Sequence, residues 1–447
     1  MNIINIFLTI AIFIIIMLIK KTDKKLNFIK HILYTIMCIM SINFLICFIF
    51  SICNVPITLY TILIARTIII AIGITKIIYD KKIQIYEIKI KDVAFILIII
   101  CIAIPIILNS YGNLNKMSYI ANDGGAHFKA SKAYKNSISI FVENFEGFLP
   151  FIATNEGIIY RNLTEIIEEF NLYKVFLISD ITIWITSVIL YYFMFEFNEK
   201  QIKLKYIFVL ISSIIFFLGY PLNNLLTGFH YLQAGVNFIM LSVILLKEQN
   251  LSDKSKTLYL LFINTAIIFT YNLFAPLVYS IEAIYIIKQN REKTNKIINL
   301  KSIIQIIVSF ILPGILAILY FIVFRSNDAL STISGVKVEG YIYRNLYTTI
   351  ILFIPFTLYY LVRKLKEKDN SYSLYFIIAL ILYTLIFLGL YLNDKISTYY
   401  YYKLYYLIWP FVIYASTEGI FLFCNKRNNS KNSRDSISNY IYFYNDN

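Results

Sequence analysis

The sequence predicts an all-α, polytopic transmembrane bundle of about 13 spans, with the N-terminus outside and the C-terminus inside. Three observations predict it. Of the 447 residues, 59% are hydrophobic and 15% charged, and mean hydropathy is +0.69; soluble domains carry roughly 25% charge. The apolar residues fall in long runs, such as 32–53 and 57–79, of about 17–23 residues, enough for a helix to cross ~30 Å of hydrocarbon. Lipid offers backbone groups no hydrogen-bond partner, so runs of this length must be helical. Finally, the basic residues collect between the runs: 28 of the 41 lysines and arginines fall in alternate loops, the pattern of cytoplasmic loops.

The first expected span is 3–19. Met1-Asn2 carries no basic n-region and Lys20, Lys21, Lys24 and Lys25 follow the apolar run, so it reads as a retained span, not a cleaved signal. Spans 32–53, 57–79 and 93–108 follow, separated by a turn and by a second basic loop with Lys81, Lys82, Lys89 and Lys91. A long outer segment, 109–172, comes next. It holds five of the 14 glycines. A helix is expected over 126–141, striped by Lys129, Lys132 and Lys135 on one side and by Ala130, Ala133, Tyr134, Ser137 and Phe141 on the other. Such a helix lies in the membrane interface. A second polar helix is expected over 162–170, around Glu165, Glu168 and Glu169.

Spans 173–195 and 204–220 lead to an outer segment, 221–232. The runs 233–246, 258–271 and 273–287 are short. The last two share only Tyr271-Asn272 as a turn, and read as half-length helices or as one broken helix, which is tolerated beside a cavity. Spans 303–324, 346–362, 373–392 and 404–423 complete the set. Three units result: N-terminal helices 1–92, a core 93–423 that includes the loop 109–172, and a polar cytoplasmic tail 424–447.

The formal charge of +15 does not imply nucleic acid, because it is divided among short loops suited to anionic lipid. No phosphate-binding Gly-rich loop or soluble catalytic domain is present, which excludes a pump driven by its own ATPase. Cys38, Cys47, Cys53, Cys101 and Cys424 all lie in or beside apolar runs, with no disulfide or metal spacing, and read as buried, inert thiols. Outer segments are longer than inner ones, so the work is expected on the extracytoplasmic face of the cell membrane.

Three outer clusters could carry chemistry. The first is Asn122-Asp123-Gly124-Gly125-Ala126-His127, where a Gly-Gly hinge would present Asp123 over the bilayer as a base; a plain N-cap for the following helix is the alternative. The second is Asn223, Asn224, Thr227 and His230. With His127 and Asp123, His230 could also bind a divalent metal, although nothing fixes the spacing. The third is the run Tyr399 to Lys403, with Tyr402, read either as an aromatic belt or as a phosphate clamp of Lys403 and Lys395. Arg66, Asp180 and Glu282 are ionisable residues at depth, which usually face an interior.

This layout resembles the GT-C superfamily of polyprenyl-phosphate-dependent glycosyltransferases, in an uncharacterised bacterial branch. The match is Asp123 in the loop after an early core span, the interfacial helix that follows it, and the Tyr399–Lys403 run before a late span. It covers about 93–423, with three extra spans ahead of it and one Asp where the family has a tandem acidic pair; Glu143, Glu146 and Glu156 are substitutes for the base. The resemblance implies transfer of a sugar from a polyprenyl-phosphate donor to a cell-wall or surface glycan or glycolipid acceptor, with Asp123 and His127 catalytic. His230, Asn223, Arg344, Lys395, Tyr402 and Lys403 would bind substrate and phosphate. No cofactor is required by this reading, and a divalent metal stays open. A transporter or flippase of lipid-linked sugars and an O-antigen-type polymerase are the rivals.

Overall fold

The computed structural model describes residues 2–111, 122–141, 149–164, 166–168, 171–197, 202–222, 228–295, 299–324, 336–337, 339–340, 342 and 346–444. Its helices in chain order are α1 (Asn2–Leu18), α2 (Phe28–Ile52), α3 (Leu59–Asp80), α4 (Ile90–Tyr111), α5 (Asn122–Asn136), α6 (Pro150–Leu163), α7 (Leu172–Phe193), α8 (Ile202–Leu218) and α9 (His230–Lys247). They continue as α10 (Asp253–Thr270), α11 (Ala275–Thr294), α12 (Leu300–Ile306), α13 (Leu312–Ile318), α14 (Leu346–Ile350), α15 (Ile354–Lys366), α16 (Tyr372–Leu392) and α17 (Thr398–Tyr444). Among the described residues the only sheet is a parallel pair of two-residue strands, Leu26–Asn27 beside Tyr86–Glu87.

Ten helical segments are long and apolar enough to cross a membrane, and α10 with the stretch Asn272–Glu292 makes an eleventh if that pair, bent by 120°, is one span. The protein is therefore an all-α, multi-pass bundle. Counting both limbs of the bent pair and the 17-residue α1, every one of the expected apolar runs is helical. The difference from about 13 crossings lies in that short first helix and in the pair that breaks at Tyr271. There the backbone leaves the helix at φ −152, ψ 80, and a 3-10 turn Asn272–Phe274 re-enters through Pro276 in the first turn of α11, where its missing N–H costs no bond. The two short runs are thus two helical limbs joined at a sharp break, a broken span or a re-entrant loop. The break packs on α9: a Cβ on Gly235 would sit 2.8 Å from Tyr271 Cβ.

Helix starts follow local chemistry. Asn27, Thr58, Ser252 and Asn299 each accept from a backbone N–H of the first turn, satisfying donors that a helix leaves open. The centre of the bundle is α9, 94% buried, whereas the α3 span is 17% buried and faces outward. Around α9 stand α7, α10, α16 and α17.

The chain alternates between two ends of the bundle. One end carries the strand pair and the lysine-rich loops after α1, α3, α9 and α15. The opposite end carries the break at Tyr271, the start of α17, and the two non-spanning helices α5 and α6. The loop 109–172 differs from expectation at three points. α5 begins at Asn122, not at 126, so Gly124 and Gly125 lie inside its first turn and form no hinge; the one glycine at positive φ among the described residues is Gly228, at 80°. A buried helix, α6, ends at Leu163 where a polar helix over 162–170 was expected, with Ile166 and Ile167 N–H closing a turn on Leu163 O. Finally, Gly157 is used for close packing: its Cβ would meet Tyr134 Cβ at 2.8 Å and Lys135 N at 2.9 Å. Of the cysteines, only Cys38 and Cys47 are buried; Cys53 and Cys101 lie on the apolar surface, and all five are free.

Candidate functional site

Where α5, α6, α7 and α9 meet, the apolar core is interrupted by a compact polar cluster. Gly228 sets up the turn that starts α9 at His230. The ring of His230 is 2% exposed and lies between two carboxylates. Its Nε2 is 2.9 Å from Glu156 Oε1 on α6, and its Nδ1 is bonded to Asp180 Oδ1 on α7. Ionised carboxylates only accept, so with both ionised both ring nitrogens must donate, and the imidazole is a cation between two anions. Glu156 is held further by Ser131 Oγ from α5 at 2.5 Å and by Ser179 Oγ from α7 at 2.8 Å. All four helices therefore bond to one carboxylate or its histidine.

The polar pairing continues down α7 and α9. Gln233 Nε2 donates to Ser187 Oγ (2.9 Å), Ser187 Oγ donates to Asn237 Oδ1 (2.6 Å), and Asn237 Nδ2 donates to Ile183 O (2.8 Å). His230, Gln233 and Asn237 share one helix face at i, i+3 and i+7. Hydrogen bonds of this kind hold helices together where lipid removes the hydrophobic incentive to associate.

His127 is buried one turn after Asp123 on α5. Its ring lies against Tyr231, centroids 4.0 Å apart and tilted by 34°, and 6.2 Å from the His230 ring. Asp123 is half-buried in the first turn of α5. α5 is fixed at its other end by Arg161 of α6, which donates to Lys135 O (2.9 Å), Ser137 O (2.6 Å) and Tyr134 O (3.3 Å), and also to Ile57 O. A guanidinium on the last carbonyls also suits the negative end of the helix dipole.

Lys403, in the first turns of α17, reaches the same region through Phe229. Its Nζ lies over four rings: Tyr399 at 4.1 Å, Phe229 at 5.0 Å, Tyr400 at 5.4 Å and Tyr271 at 5.9 Å. Each face attracts a cation. The tyrosines of this run are thus packing elements around the Lys403 ammonium. Tyr402 is half-buried against Tyr347, with ring centroids 5.5 Å apart, and Lys395 is exposed. Asn223 and Arg344 lie outside the described residues.

Two expectations are redirected by this geometry. His230 has both ring nitrogens committed to carboxylates, so it offers none to a phosphate. Asp180, singled out only as a charge at depth, is its partner, and Glu156, named only as a substitute base, is the hub of the cluster. The sequence signal was the polar stripe His230, Gln233, Asn237 inside an apolar run. Arg66 and Glu282 also have local partners: Arg66 donates to Asn5 O and Asn43 Oδ1 (3.0 Å each), and Glu282 Oε2 accepts from Asn264 Nδ2 at 2.9 Å, while Arg66 Nε and Glu282 Oε1 are buried without a hydrogen bond among the described residues. Among the described residues no group of three or more His, Cys, Asp or Glu side chains is disposed to hold a metal ion. No family model, curated protein or solved structure matches the chain.

Proposed function

We propose that the protein is an integral membrane glycosyltransferase that moves a sugar from a polyprenyl-phosphate donor to a glycan or glycolipid acceptor on the extracytoplasmic face. The observation that carries this reading is the setting of Asp123. It stands half-buried on a polar, non-spanning helix, at the end of the bundle away from the lysine-rich loops, and that helix is bound on its inner side to the Glu156–His230–Asp180 cluster.

In this reading the acceptor hydroxyl attacks the anomeric carbon of the donor. The bond from that carbon to the phosphate oxygen breaks, polyprenyl phosphate leaves with the electron pair, and Asp123 takes the hydroxyl proton. Lys403, held by its ring of aromatics, counters the charge growing on the departing phosphate. His127 and the buried cluster position α5. Against transport of lipid-linked sugar across the membrane, the three ionisable groups at depth bond to protein neighbours instead of standing open along a path.

Purified protein in lipid nanodiscs, given a radiolabelled polyprenyl-phosphate sugar and a membrane-glycan acceptor, should transfer label. Asp123→Asn should lower the rate by about 10²-fold or more with the thermal unfolding midpoint unchanged. Full transfer by D123N would remove Asp123 as the base; donor that changes leaflet without being consumed would favour transport.

A further inference from the structure

We infer that the lysine-rich end carries a binding site for the phosphate of an anionic lipid headgroup. The site is a cleft of about 680 Å³ between the loops that follow α1 and α3, lined by Lys20, Lys24, Lys81 and Lys82 together with Thr22 and Asp23. Three observations support it, none of which depends on the sugar-transfer reading.

The cleft is built, not a chance meeting of loops. Gln84, 4% exposed, forms its floor. Its Oε1 accepts from Lys21 N at 2.9 Å and Thr22 N at 3.1 Å, and its Nε2 donates to Lys24 O at 2.9 Å and Ile85 O at 3.0 Å. Its own N–H donates to Leu18 O, and Ile19 bridges Ile83 beside it. The neighbouring lysine is used differently: Lys21 Nζ turns inward to Ile16 O and Ile19 O, closing the end of α1. Lys20 stays on the cleft.

The charge is unbalanced. Four lysines face one carboxylate, Asp23, already bonded to Lys20. The C-terminal ends of α1 and α3 come to the same place and contribute roughly half a negative charge each, less than the net three positive charges of the side chains. Lys24, Lys81 and Lys82 are all exposed.

The rim carries exposed apolar side chains. Ile83 and Ile85 line the cleft at 55% and 59% exposure, and Ile78 and Tyr79 beside them are 68% and 81% exposed. Lysines over exposed isoleucines fit a ligand with a phosphate head and acyl chains, as in anionic-lipid recognition. A free phosphate shares the head chemistry but has no use for the rim.

The test uses the full chain in nanodiscs with bound lipid counted by native mass spectrometry. Each lysine removed should weaken binding roughly five-fold, and K24Q/K81Q/K82Q together about a hundredfold, for phosphatidylglycerol and not for phosphatidylcholine. K366Q/K368Q, at the same end but outside the cleft, should change little. Equal retention of phosphatidylglycerol by the triple variant and wild type overturns the site. Inorganic phosphate or pyrophosphate binding the detergent-solubilised protein as tightly as the lipid, with the same loss in the triple variant, overturns the lipid as its source.

Discussion

At the residue scale the decisive group is His230. An imidazole with a carboxylate on each side is stable only as a set: Glu156 and Asp180 are 3% and 5% exposed, and deleting the cation leaves two buried anions facing each other. Breaking such an arrangement costs about 3–5 kcal/mol, much of it the penalty for the charge left behind. H230A should therefore lower the thermal midpoint of the detergent-solubilised protein strongly. Adding E156Q and D180N to H230A should recover part of that loss, because the same vacancy is then lined by neutral groups. A triple variant no more stable than H230A would mean that packing, not charge, dominates the site. Sequence alone could not pair these residues. Glu156, Asp180 and His230 lie on three separate helices, and an apolar run with one acid gives no address for its partner. Asp123 was conspicuous for a reason that did not survive: Gly124 and Gly125 adopt ordinary helical backbone, so its presentation depends on how α5 is anchored.

Two elements can be tested apart from the cluster. α5 and α6 approach so closely at Gly157 that a methyl group there meets backbone as well as side chain. G157A must separate the helices, at a cost of about 1–3 kcal/mol, and because α5 carries Asp123, sugar transfer should fall by more than the loss of folded protein accounts for. Rate per folded molecule, with folded protein measured by size-exclusion chromatography, separates the two effects. The other element is the end of α1. Burial pushes the Lys21 ammonium down to about 8, outweighing the carbonyls that hold it. From that pH up to the ordinary lysine value the unfolded chain binds more protons than the folded one, so stability should rise with pH across this window; K21M should flatten the rise. The helices themselves were legible, since apolar length dictates them in lipid. The ends inside 109–172 were not: a polar stretch carries no length constraint, and α6 is buried by α1, α2, α7 and α10, contacts invisible in its own sequence.

At the scale of the whole molecule the charge pattern carries the argument. Lys20, Lys24, Lys81, Lys82, Arg363, Lys364, Lys366 and Lys368 all come to one end of the bundle, although they belong to loops far apart in sequence, and the α5–α6 pair with the Lys403 cage comes to the other. Alternation of spans was enough to foresee that grouping, because it depends on parity, and the broken pair α10–α11 preserves parity whether it crosses as two limbs or returns as a hairpin. By the positive-inside rule, the orientation we propose puts the lysine-rich end in the cytoplasm. The proposed chemistry requires this orientation, because a polyprenyl-linked donor used for surface glycan must be met outside. With the surface cysteines Cys53 and Cys101, and Cys424, replaced by serine, K395C at one end and K368C at the other, both exposed positions, report the two faces. A membrane-impermeant maleimide added to intact spheroplasts should label K395C and leave K368C unlabelled until the membrane is opened. The reverse pattern would put Asp123 in the cytoplasm, out of reach of an outward-facing lipid-linked sugar, and would remove the proposed reaction together with the topology.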